Sequence, residues 1–113
     1  MNTFSTKLLL NGKWLEGSGA SKLIVKNPAT EKTFAEVSSA TVDEIGQAAE
    51  AGQAAFESNW RDIPPGQRAE LLHGIAKLIR ENTESIAQLE TRNVGKPISD
   101  ARWEIDAGAK VFE

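Results

Sequence analysis

Two hydrophobic periods divide the chain. Up to about residue 40 the apolar positions come in short runs broken by Gly, Pro and Asn, and from Thr41 onward they recur every three or four residues. The stretch "KLLLNGKWLEG" sets Asn11-Gly12 between Lys7–Leu10 and Lys13–Glu16, which predicts a two-residue β-hairpin. Gly17 to Ser21, "GSGAS", reads as a flexible connection. The apolar run Leu23–Val25 halts at Asn27-Pro28, because proline has no N–H to extend a ladder. "KTFAEVSS" alternates Thr33, Ala35 and Val37 against Phe34, Glu36 and Ser38, predicting a half-exposed strand.

The helical half opens on a capping box, in which Thr41 and Glu44 each reach the other's free backbone N–H. Ile45, Ala48, Ala49, Gly52, Ala55 and Phe56 then form one face, whose small residues predict close packing on a neighbour. Pro64-Pro65 begin a second helix, with Ala69, Leu72, Ile75, Ala76 and Ile79 as its stripe. "TESIAQLETRN" predicts a shorter third helix with Ile86 and Leu89 as its apolar pair. A fourth is expected from about Ile98 to the last residue, with no capping glycine, basic last turn or proline to end it. A helix cut at Phe112-Glu113 would leave carbonyls without partners, so a longer protein is expected.

Composition narrows the chemistry. The 113 residues are 40% hydrophobic and 26% charged, as in ordinary globular chains. Thirteen basic and sixteen acidic residues give a net charge of −3, and scattered cations do not make a nucleic-acid footprint. The absence of cysteine excludes disulfides, Cys-ligated zinc and a thiolate nucleophile within these 113 residues. No apolar run approaches the roughly 20 residues of a membrane helix, and Leu8–Leu10 is too short for a signal-peptide core, so the cytoplasm is expected.

Gly95-Lys96 raises the question of a phosphate loop. Such a loop needs Gly, four residues, then Gly-Lys-Ser/Thr. Here Glu90 stands at the first glycine and Pro97 at the hydroxyl residue, so the pair reads as a joint: Gly95 ends one helix in a left-handed conformation and Pro97 starts the next. The single histidine, His73, has no second ligand at metal spacing and reads as a partly exposed helical residue. Asp100 and Glu104 share a helix face, with Asp106 nearby. That face is either cation-attracting or simply solvated. Trp14, Trp60 and Trp103 read as buried anchors.

The ordered pieces "LLLNGKW", "VKNPATEKTFAEV", "AAEAGQAAFESNWRDIPPGQRAELLHGIAKLIREN" and "LETRNVGKP" resemble the N-terminal segment of the NAD(P)-dependent aldehyde dehydrogenase superfamily, from about Lys7 to Glu113. The resemblance implies an α/β fold and an N-terminal part of a cofactor domain, with strands and turns over 7–40 and four helices over 41–113. The catalytic domain, its cysteine and glutamate, and the turn that binds NAD or NADP would lie in the remainder of the chain, which would be this segment's partner. The complete enzyme would be a homo-oligomer oxidising an aldehyde to the acid, and the 113 residues alone would be inactive.

Two sets of residues carry over from that resemblance. Val25 and Lys26 would offer backbone carbonyls to a K+ or Na+ site, joined by position 93, where the family commonly has an acid and this chain has Asn93. The alternative is a packed turn and nothing more. Glu104 and Ala107 fall where residues facing the aldehyde tunnel are expected. Glu104 fits the acids of aminoaldehyde and betaine aldehyde enzymes, and Ala107 departs from them. The rival to an enzyme portion is a free-standing interaction module derived from the same scaffold.

Overall fold

The computed structural model describes residues 4–113, as four short strands followed by four helices. They fall into two units, one of residues up to Val25 with Thr33–Asp62 and one of Lys26–Lys32 with Ile63–Glu113.

The first unit begins with the predicted hairpin. β1 (Leu8–Leu10) pairs antiparallel with β2 (Lys13–Leu15), with Leu9 opposite Trp14. Asn11 and Gly12 turn the chain at φ 48° and 73°, the positive values that a turn matching strand twist demands. β3 (Lys22–Lys26) pairs with β4 (Thr33–Ser38) in a second two-stranded sheet. β4 does not alternate as its sequence predicts. Phe34 is half-buried, edge-on to Phe4 at 6.0 Å, and Ser38 is buried, its N–H donating to the Thr6 carbonyl, so both faces of the strand are partly covered.

α1 (Val42–Ser58) starts at the predicted capping box: the Glu44 N–H donates to Thr41 Oγ1, and the Thr41 N–H donates to Glu44 Oε2 at 2.8 Å. Its small-residue face does not pack. Ile45 is 61% and Phe56 47% exposed, no residue of α1 is buried, and a Cβ on Gly46 or Gly52 would meet nothing within 4 Å. The connection expected to be flexible is instead seated. Gly17 lies at φ 71° against Leu8 and Ser38, and a side chain on Gly19 would overlap the Ser39 carbonyl.

The second unit is helical and holds most of the core. α2 (Pro65–Glu81) begins just after Pro64, and Arg68 Nη1 donates to the Ile63 carbonyl at 2.7 Å. Asn82 both ends α2 and begins α3 (Thr83–Val94), its amide donating to the Leu78 carbonyl while its own carbonyl accepts the Ile86 N–H. α4 (Ile98–Lys110) packs on α2 and α3. Among the described residues the buried apolar ones are Ala76, Ala87, Ala101 and Ala109, so small side chains let helix backbones approach without losing rotamer entropy.

α4 does not run to the last residue: it ends at Lys110, a basic last turn that favours the helix C-terminus, and Val111, Phe112 and Glu113 donate to the Gly108, Ala109 and Lys110 carbonyls in a tightened turn. The tryptophans are not buried anchors. Trp14, Trp60 and Trp103 are 58%, 41% and 72% exposed, because the described residues offer no surface to cover them.

Candidate functional site

The joint between α3 and α4 brings Gly95 and Lys96 together with Glu90 and Glu104. Gly95 ends α3 at φ 79°, its N–H donating to the Thr91 carbonyl at 2.9 Å, and Pro97 precedes the first turn of α4. Gly-Lys is therefore a helix joint, as its neighbours predict, and no phosphate loop forms. The glycine is also a contact point. A Cβ there would sit 2.9 Å from Pro28 Cγ, so the "NPAT" turn is seated directly on the end of α3. That turn is fixed locally as well, with Asn27 Oδ1 accepting the Ala29 N–H and the Asn27 carbonyl accepting the Thr30 and Glu31 N–H groups.

Lys96 gives the joint its electrostatics. Its ammonium donates to Glu104 on α4 and lies 3.6 Å from Glu90 on α3, so one cation stands between two carboxylates. The Glu104 hydrogen bond, with Glu90 adding to it, raises the Lys96 pKa above its ordinary value. The other acids of α4 are engaged in the same way. Asp106 accepts from Arg80 Nε at 3.2 Å and pairs with Lys110 at 2.9 Å, and Lys110 followed by Arg80 holds its carboxyl below the usual carboxylate range. Arg80 also grips Glu113 with both terminal nitrogens, a bidentate clasp tying α2 to the turn that follows α4. Arg102 grips Glu84 at 2.8 and 3.0 Å and, with help from Gln88, pulls its pKa down to about 2. Much of the acid face expected on α4 is thus internally paired.

The carried-over residues divide. Lys26 and Asn93 are exposed, at the end of β3 and near the end of α3, and Val25 is half-buried within β3. Glu104 is exposed and Ala107 half-buried on α4. Among the described residues, no group of three His, Cys, Asp or Glu side chains could hold a metal ion. No helix among them is long and apolar enough to cross a membrane. The pairing of Lys96 with Glu90 and Glu104 was not read from the sequence. The i, i+6 and i, i+8 separations match no single-helix spacing, and only the bend at Gly95 brings the three together. The Thr91 hydroxyl, also unremarked in the sequence, is buried without a hydrogen-bond partner.

The strand-and-four-helix arrangement is that of a part of the aldehyde dehydrogenase fold. The aldehyde dehydrogenase family model matches residues 14–113, and the chain belongs to that family. It is 40% identical over 108 residues to 4-(hydroxymethyl)benzenesulfonate dehydrogenase TsaD1 of Comamonas testosteroni, covering 95% of this chain and 22% of that protein. It is 35% identical over 104 residues to malonate-semialdehyde dehydrogenase 1 of Bacillus thuringiensis, covering 92% of this chain and 21% of that one. Among solved structures, betaine aldehyde dehydrogenase of Staphylococcus aureus in complex with NAD+ superimposes with a TM-score of 0.91 at 28% identity, covering 96% of this chain and 22% of that one. The chain therefore spans about a fifth of the length of these relatives.

Proposed function

We propose that the chain is the N-terminal part of the cofactor domain of an NAD(P)-dependent aldehyde dehydrogenase, which when complete oxidises an aldehyde to the carboxylic acid as a cytoplasmic homo-oligomer. The observation that carries the reading is the near-complete fit of this chain to about a fifth of the relatives, alongside the absence of cysteine from its 113 residues. The thiolate that would attack the aldehyde must then come from the remainder of the enzyme. The glycines that make close approaches, Gly17, Gly19 and Gly95, already face Leu8, Ser38, Ser39 and Pro28, so these three leave no room for a pyrophosphate. No step of hydride transfer is assigned to this chain. Its role is to present α1–α4 as a scaffold to the rest of the enzyme, and the 113 residues alone are inactive.

In this reading the Val25 and Lys26 carbonyls and the Asn93 amide form a weak K+ or Na+ site, and Glu104 and Ala107 border the aldehyde path. The substrate follows from charge. Glu104 alone would favour the cationic end of an aminoaldehyde or betaine aldehyde, and the S. aureus relative is named a betaine aldehyde dehydrogenase. Lys96 offsets that charge, and the 40% and 35% identical relatives are named for anionic substrates, a sulfonate and a malonate semialdehyde. The pairing favours the anionic or neutral aldehyde as a second reading.

The test is NAD+- or NADP+-dependent oxidation of betaine aldehyde, an aminoaldehyde and malonate semialdehyde, followed by nicotinamide absorbance. It is run on the 113-residue chain and on the protein as expressed from its native locus. Activity in the native protein and none in the 113 residues is expected. A native product of this length that binds another protein without oxidising any aldehyde would instead favour the interaction module.

A further inference from the structure

We infer that the Glu44 carboxylate is a two-sided latch, one oxygen capping α1 and the other holding the Gly17–Gly19 strap that leads out of the β1–β2 hairpin. Four donors converge on this side chain. Oε2 accepts the Thr41 N–H at 2.8 Å and the Thr41 hydroxyl at 3.1 Å. Oε1 accepts the Ser18 N–H at 2.8 Å and the Ser18 hydroxyl at 3.0 Å. An ionised carboxylate is the side chain with acceptors enough for four such bonds and no donor to repel them. A capping box needs only the Thr41 side. The second pair, from a residue 26 positions earlier in the chain, is additional.

The strap is shaped to be held. Gly17, at φ 71°, leaves 3.1 Å between a would-be Cβ and Leu8 of β1, and 3.2 Å to Ser38 at the end of β4. Gly19 lies so close to Ser39 that a side chain there would overlap its carbonyl oxygen. Between these two seats Ser18 turns both its donors toward α1. A "GSGAS" sequence is otherwise a high-entropy linker, and fixing its backbone loses conformational entropy at every residue, so the order of the strap needs bonds of the charged kind that Glu44 provides.

The two sides separate chemically. Glu44→Gln keeps one acceptor oxygen, and Gln serves a capping box as well as Glu. Its NH2 group then faces donors on the other side and cannot accept from them. Because Thr41 is local and Ser18 distant, the oxygen stays with Thr41 and the strap is released. Amide hydrogen exchange on the full chain reads this directly. In Glu44→Gln the Ser18 amide is expected to exchange at least about tenfold faster, while amides of the first turns of α1 stay within about twofold of the unsubstituted chain. Ser18→Ala, which keeps the N–H and loses the hydroxyl, gives a smaller acceleration at the same amide. An unchanged Ser18 amide in Glu44→Gln overturns the proposal. So does equal acceleration of Ser18 and α1, which would make Glu44 a helix cap alone.

Discussion

Replacing Gly95 with alanine measures how the α3–α4 joint is built. Two costs are expected. Alanine at φ 79° sits in the left-handed region, which costs an L-residue about 1–2 kcal/mol relative to glycine. Its Cβ would also lie 2.9 Å from Pro28 Cγ, well inside ordinary contact, and forcing a neighbour aside in a packed place costs about 1–3 kcal/mol. The total is about 2–5 kcal/mol, a large share of the stability of a small domain. The contributions separate in a double-mutant cycle. Pro28→Ala removes Cγ and leaves Cβ at 3.7 Å, an ordinary contact, so in that background Gly95→Ala should cost only the backbone part. Gly95→Asn is a second control, since asparagine tolerates the left-handed conformation but keeps the clash. Urea unfolding followed by far-UV ellipticity gives each free energy. A coupling of about 1–3 kcal/mol between positions 28 and 95 is expected. A coupling below about 0.5 kcal/mol, the ordinary scatter of additivity, would refute the seating of the "NPAT" turn on the end of α3.

Three further outcomes follow from the same unit. Ala101→Leu on α4 places extra methylenes between helices that meet through alanines and should destabilise by about 1–3 kcal/mol, whereas Trp103→Leu, exposed on the opposite side of the same helix, should change little; equal effects in urea unfolding would mean the alanine contacts are not close. Glu84, held at about 2 against an ordinary 4.5 by Arg102 and Gln88, binds protons more readily when unfolded. Its contribution is therefore present above pH 4.5 and lost as pH falls toward 2. Ellipticity in fixed urea should decline across that window, less steeply in Glu84→Gln, and identical slopes would remove the Arg102 pairing as the cause. In the complete enzyme of the proposed function, Glu104→Gln should raise KM for a cationic aldehyde more than for a neutral one, and Lys96→Met, which uncovers Glu90 and Glu104, should lower it; parallel shifts for both substrates would detach the pair from the aldehyde path.

What was legible in the sequence is what depends on neighbouring residues. The Asn11-Gly12 turn, the Thr41–Glu44 box, the proline start of α2 and the left-handed Gly95 are each decided by the backbone demands of a few adjacent positions, and all four form as predicted. The same local reasoning rejected a phosphate loop at Gly95-Lys96. Where a prediction depended on what lies across space, it failed or was silent. The "GSGAS" segment has a linker's composition, yet close approach to Leu8 and Ser39 selects its glycines and Glu44 fixes its serine. Lys96, Glu90 and Glu104 form one charge cluster only because the chain bends at Gly95.

The exposed faces carry the same lesson in reverse. A stripe such as Ile45, Ala48, Ala49, Gly52, Ala55 and Phe56 records that a helix has an apolar side, and a tryptophan records a large apolar area; neither records that a partner is present. Within the described residues those surfaces meet water. The surfaces that are covered, at Ala76, Ala87, Ala101 and Ala109, are the ones with the smallest side chains. Burial of a methyl group each gives this core modest hydrophobic stabilisation, about 0.8 kcal/mol per carbon removed from water. The ion pairs Arg80–Glu113, Arg102–Glu84 and Lys96–Glu104 lie at the exposed margins of the helices, where such pairs contribute little individually. Turns and helix joints are therefore fixed locally, while many of the large apolar side chains stay uncovered. That balance is what a scaffold needs when its large apolar faces are to be covered by the rest of an enzyme, and it is the physical ground on which the enzyme-portion reading stands ahead of the independent module.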